Sequence, residues 1–255
     1  MKTFGLVLSG GGVRALAHAG MLKALDEHHL RPVVISGTSG GALVGALYAS
    51  GKTPEQLLDF FKQTPLFKFS MLSLGKMGLI NSNKYPALFE KNLSCTTFEE
   101  LSIPLYVAAT NLLSGKITYF SKGDLISPMV ASSALPPYFS PIKIGEGVYC
   151  DGGLLNNFPI EPLRGKCDVF IGSFINPLES VEEKDLSNPI KFFQRIYNVI
   201  MDGSYEKKFK KCDFVFLQEL SNIGVLDTKQ IDAAFEYGYQ QALSMMTTLK
   251  NCIAN

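Results

Sequence analysis

The chain has 255 residues, with 24 Lys or Arg set against 23 Asp or Glu and a net charge of +1. That balance lacks the basic excess of a nucleic-acid binder and the charge of an acidic tail. Apolar residues make up 46% and charged residues 18%, below the usual ~25% charged share, so the chain can bury a large core and is not disordered.

One domain spanning 1–255 fits this length. The five cysteines (Cys95, Cys150, Cys167, Cys212 and Cys252) are odd in number and none are paired as C-x-x-C. They indicate neither a disulfide scaffold nor a zinc site, and reduced thiols point to a cytoplasmic protein. No apolar run approaches the about 18 residues of a membrane span, which limits membrane contact to the periphery.

The first residues imitate a secretion signal, with Lys2 before an apolar run and Ala17-His18-Ala19 as a cleavage-like site. The run is far shorter than the about 7–15 residues a signal needs, and Arg14 interrupts it. Residues 4–9 instead read as a buried strand closed by Gly10-Gly11-Gly12, and 13–29 as a helix with Leu16, Ala19, Leu22 and Leu25 at helical spacing. Residues 33–35 form a second strand ending at Gly37, and 41–50 a helix stopped by Gly51. Thr53-Pro54-Glu55 opens another helix. The βαβ order predicts a parallel sheet covered by helices.

Residues 64–80 are apolar without periodicity and read as an irregular cap, with Phe67 and Phe69 as candidate lipid contacts. Residues 105–110 and Lys116–Phe120 predict strands joined by a Ser114-Gly115 turn, hence a mixed sheet. A helix is expected over 124–134, strands at Val169–Phe174 and Phe214–Leu217, and amphipathic helices over 190–201 and 231–249.

Two glycine-rich turns follow the first two strands. Gly10-x-Gly12-x-x-Ala15 fits a dinucleotide fingerprint, but no Asp or Glu lies between Glu27 and Glu55 to hold a ribose. A phosphate loop around Ala46 to Thr53 fails because it lies at a helix end and has Ala in place of the first Gly. Gly37-Thr38-Ser39-Gly40-Gly41 is G-x-S-x-G, a nucleophile elbow between a strand and a helix. The bare N–H groups from Gly10 to Val13, with that of Gly40, could stabilise an oxyanion.

The only histidines are His18, His28 and His29, all before Ser39, so the Ser–acid–His order of α/β-hydrolases is impossible. His28 and His29 read as solvated, and His18 as packed or capping, with a catalytic role still open. A carboxylate base is therefore expected, and Asp151 in Tyr149-Cys150-Asp151-Gly152-Gly153 is the best placed, although a plain Asp-Gly turn reads equally well from the residues alone.

Together, Gly10-Gly11-Gly12-Val13-Arg14, Gly37 to Gly41 and Asp151-Gly152-Gly153 resemble the patatin-like phospholipase family. Ile103 onward (IPLYVAATNLLSGK), Ala131 onward (ASSALPPYFSPI) and LLNNFPIEPL after the acid extend the likeness over about residues 4–175, with a less diagnostic helical part over about 187–255. The resemblance implies a three-layer α/β/α sandwich with a mainly parallel, mixed sheet. It implies lipid acyl hydrolysis with Ser39 as nucleophile and Asp151 as base.

On the same basis Gly11, Gly12 and Val13 line the oxyanion hole and Arg14 follows it. Gly40, just after the nucleophile, is the other expected donor, and Arg14, the only cation in the glycine loop, reads equally as a phosphate contact or as a structural salt bridge across the helix start. No metal or cofactor is expected. The implied partner is a lipid substrate, met at a membrane or micelle surface, with homo-oligomers left open. A thioesterase or acyltransferase using the same dyad, or a non-enzymatic lipid-binding regulator, are the alternatives.

Overall fold

The computed structural model of the chain describes residues 2–64, 85–178, 180–202 and 205–254. In chain order these give β1 (Phe4–Leu8), α1 (Leu16–Glu27), β2 (Val34–Thr38), α2 (Gly40–Ala49), α3 (Pro54–Gln63), α4 (Pro86–Asn92), β3 (Leu105–Asn111), β4 (Lys116–Phe120) and α5 (Ile126–Ser132). Then follow β5 (Ile142–Ile144), β6 (Gly147–Asp151), α6 (Gly153–Asn156), β7 (Val169–Phe174), α7 (Pro189–Asp202), α8 (Glu206–Phe209), β8 (Phe214–Leu217) and α9 (Ile231–Ala254).

Strands β3, β2, β1, β7 and β8 run parallel in that order, with β8 at one edge of a mixed sheet. β1 is buried along its whole length, as a continuous apolar run should be when helices cover both faces. Alternation along it splits the core. Leu6 and Leu8 join the larger cluster with α1, α2, α5 and α9, while Val7 joins a smaller one with Phe158, Phe174 and Tyr205. The architecture is the expected three-layer α/β fold, with one thick and one thin helical layer.

The element starts follow local chemistry. Thr53 and Gln56 close a capping box on α3, with Pro54 at its first position. The helix expected over 124–134 spans Ile126–Ser132, and at its start the Asp124 carboxylate accepts from the N–H groups of Ile126 and Ser127. The helix expected from residue 13 begins as a 3-10 turn over Gly12–Ala15. The apolar cap beyond Thr64, with Phe67 and Phe69, lies outside the described residues.

The pairing of β3 positions the site. Val107 and Ala108 pair with both β2 and β4, so those strands occupy opposite edges of β3. Ala109 to Asn111 pair with both β4 and β6, so β6 lies on the β2 edge. β2 and β6 thus meet end to end, with Thr38 opposite Ala108 and Asp151 opposite Ala109.

Candidate active site

β2 delivers Ser39 into a strained turn. Its φ of 52° and ψ of −125° place a non-glycine residue where L side chains rarely go. Two close approaches hold the turn: a Cβ at Gly37 would lie 2.7 Å from the Gly41 carbonyl, and one at Gly41 2.5 Å from the carbonyls of Leu8 and Ser9. The Ser39 N–H donates to Ser132 Oγ (2.8 Å), whose hydroxyl donates to the Ala108 carbonyl (2.6 Å), tying the elbow to β3. Helix α2 then starts at Gly40, which puts Ser39 at the positive end of its dipole.

Asp151 ends β6 beside this elbow. It is 1% exposed, and Ser39 is 8% exposed. Burial pushes the Asp151 pKa up to about 6, opposed by the Gly153 N–H, which donates at 2.7 Å, and by the Ser39 and Tyr197 hydroxyls in front of the carboxylate. Tyr197 Oη is buried and faces the Asp151 carboxylate, and no other group among the described residues lies within hydrogen-bond distance of it. Burial, then the Asp151 charge, holds the Tyr197 pKa well above its usual value, which keeps it a proton donor.

The glycine loop lies across from this pair. Asn157 fixes its start: Oδ1 accepts the Gly10 N–H at 2.9 Å. Asn176 Nδ2 donates to the Gly10 carbonyl. Among the described residues no acceptor takes the N–H of Gly11, Gly12 or Gly40. The Val13 N–H differs from expectation, because it donates to the Val225 carbonyl at 2.8 Å. That removes Val13 from the expected donors and leaves the N–H groups of Gly11, Gly12 and Gly40 facing the pocket side without an acceptor among the described residues.

Arg14 stands outside the Ser39–Asp151 pair, on the wall of the larger cavity beside it. Its guanidinium donates to the carbonyl of Ile223 (2.6 Å) and to Asn176 Oδ1 (3.1 Å), which ties the loop carrying Val225 to the glycine turn. His18 is fully buried. Nε2 faces the Ser9 carbonyl at 2.8 Å and must carry the proton, so Nδ1 accepts from the Ser173 hydroxyl at 2.8 Å, which in turn accepts from Gln218 Nε2. Burial lowers the His18 pKa to about 4. This neutral, doubly bonded imidazole is packed beneath the loop and is not a base for Ser39.

Ser39, Asp151, Gly11, Gly12, Gly40, Ser133 and Tyr197 line one cavity of about 30 Å³. It shares Leu135, Tyr197, Asn198, Val225 and Leu226 with a second cavity of about 500 Å³, which Ile196, Ile200 and Tyr138 also line. Among the described residues no cluster of His, Cys, Asp or Glu could hold a metal.

Sequence reasoning missed Ser132, Asn157, Tyr197 and Val225. The first two sit in matching segments but carry no chemical signature of their own. Tyr197 and Val225 reach the site only through the tertiary fold.

The profile of the family described as patatin-like phospholipase matches residues 6–164. The chain is 31% identical over 183 residues to an uncharacterised NTE family protein of Mycobacterium tuberculosis, covering 71% of this chain and 51% of that protein. It is 24% identical over 204 residues to a lysophospholipase nte1 of Aspergillus fumigatus, covering 77% of this chain and 13% of that protein. The chain therefore spans about half or less of the length of these curated relatives. The crystal structure of VipD from Legionella pneumophila shares the fold, with a TM-score of 0.60 at 15% identity over 97% of this chain and 67% of that one.

Proposed function

The chain belongs to the patatin-like phospholipase family, and from that premise we propose that it is a serine acyl hydrolase cleaving carboxylic esters of lipids, of the phospholipase A or lysophospholipase type. One observation carries this reading: a strained Ser39 faces a buried Asp151 across a pocket lined by Gly11, Gly12 and Gly40. Ionised Asp151 takes the Ser39 proton as Oγ attacks the acyl carbon. The free N–H groups of Gly11, Gly12 and Gly40 receive the developing oxyanion. The leaving alcohol takes the proton back from Asp151, and the acyl group remains on Ser39.

The larger cavity supports a lipid substrate, since Leu135, Ile196, Ile200 and Leu226 offer an apolar wall next to Ser39. Phe192, Ile196, Val199 and Ile200 form an exposed apolar stripe on α7 at the rim of that cavity, suited to a micelle or membrane surface. No helix among the described residues is long and apolar enough to cross a membrane, so such contact is peripheral in this reading.

Two measurements on purified protein test the proposal. A fluorophosphonate probe is expected to label Ser39, and Ser39→Ala to cost about 10⁴-fold or more in lipid ester hydrolysis while the fold persists. Hydrolysis within tenfold of wild type by that variant would remove Ser39 as nucleophile. Parallel assays of oxygen esters and thioesters, with water or alcohol as acceptor, separate a hydrolase from a thioesterase or acyltransferase.

A further inference from the structure

Two buried hydroxyls in the catalytic cavity have no role in the acylation step just described. Ser133 Oγ and Tyr197 Oη are both shielded from solvent and line the cavity holding Ser39 and Asp151; among the described residues Ser133 Oγ has no hydrogen-bond partner, and Tyr197 Oη has only the Asp151 carboxylate before it. Two buried hydroxyls whose hydrogen-bonding capacity is left unfilled in one cavity cost free energy unless something small and polar joins them. The cavity volume of about 30 Å³ admits one or two water molecules and no more. A water there needs two to four polar partners. The Ser133 and Tyr197 hydroxyls and the Asp151 carboxylate supply three.

The surrounding framework fixes these groups relative to the acyl carbon. Ser133 is flanked by Ser132, which receives the Ser39 N–H, and Ala134, whose carbonyl receives the Asp151 N–H at 3.1 Å. Tyr197 enters from α7, outside the stretch matched by the family profile. Tyr197 is close enough to Asp151 to draw down the carboxyl pKa.

We propose that Ser133 and Tyr197 are water-positioning residues that hold the nucleophile of the second half-reaction, where the acyl group leaves Ser39. The inference rests on the Ser39–Asp151 reading above. In that step Asp151 takes one proton from the held water, and the hydroxide oxygen bonds to the acyl carbon. The tetrahedral oxyanion sits on the N–H groups of Gly11, Gly12 and Gly40. Its collapse breaks the bond from carbon to Ser39 Oγ, and Oγ takes the proton from Asp151, releasing the fatty acid. The hydroxyls thereby commit the enzyme to water over other acceptors.

Stopped-flow hydrolysis of a nitrophenyl acyl ester by wild type, Tyr197→Phe, Ser133→Ala and the double variant tests this, since it reads acylation and deacylation separately. Deacylation is expected to fall about tenfold more than acylation for each hydroxyl removed, so that a burst of nitrophenol appears and acylated Ser39 accumulates by intact mass. Added methanol should capture a larger share of the acyl group in the variants than in wild type. Both single changes remove one oxygen and keep the side chain's shape, so either alone serves if the double variant is unstable. Equal losses in both steps, or an unchanged methanol share, would overturn the water site. A wild-type protein that never acylates Ser39 would instead sink the proposed function.

Discussion

The Asp151 carboxyl has a pKa of about 6 because burial disfavours its charge, and the base role proposed for it requires that charge. Activity is therefore expected to fall about tenfold per pH unit below pH 6, as the fraction of ionised base falls, and a pH profile of kcat/KM checks it. The same shift has a stability consequence. Between its ordinary 3.8 and about 6 the folded protein binds a proton that the unfolded chain has lost, so stability falls as pH rises through that window. Asp151→Asn should be more stable than wild type at pH 7, on the order of 2–3 kcal/mol, with the gap closing near pH 4. Urea unfolding at both pH values measures the difference. His18 has the opposite sign. With its folded pKa lowered from 6.5 to about 4, its neutral burial supports the fold above pH 6.5, and that support drains away as pH falls toward 4. His18→Asn should flatten the acid branch of the thermal midpoint across that window.

Helices show a different logic, in which small residues let backbones touch. α1 and α9 cross where Gly20 and Gly238 face one another's helix. A Cβ at Gly20 would run into the Phe235 carbonyl, and one at Gly238 into the Ala17 carbonyl. Either change to Ala should destabilise by about 3 kcal/mol, since backbone cannot yield as a side chain does, and denaturant midpoints test it. The segment around Ile223 and Val225 acts as a strap on the glycine turn through Arg14 and the Val13 N–H. Arg14→Ala is accordingly expected to lower activity on phospholipids and on neutral nitrophenyl esters alike. A loss confined to phospholipids would restore Arg14 to phosphate recognition.

Much of this was readable from residues. The glycine spacing announces the elbow around Ser39, and the absence of any histidine after it directs attention to a carboxylate. β1, β2, β4 and β7 show as apolar runs. α6 and α8, at four residues each, are too short to show any period. The Val225 contact that removes Val13 from the donor set depends on a segment far along the chain, which no local pattern reveals.

At the scale of the whole molecule, the site is built from a sheet with helices on both faces and a cavity opening between α7 and the strap. What matters most is the seam along β3. Ser39 and Asp151 come from segments separated by more than half of the matched region, yet both are indexed by adjacent residues of one buried strand. Their spacing is thus a property of hydrogen-bond register, not of loop conformation. Local fluctuations that open surface segments leave such a register untouched, because central strands open only with the global transition. The amide protons of Ala108 and Ala109 should then exchange with deuterium as slowly as the most protected in the protein. In a urea titration, acylation by Ser39 should vanish together with the circular dichroism of the fold. Were acylation lost at lower urea, the two residues would belong to a separately melting unit, and the strand would not be their ruler.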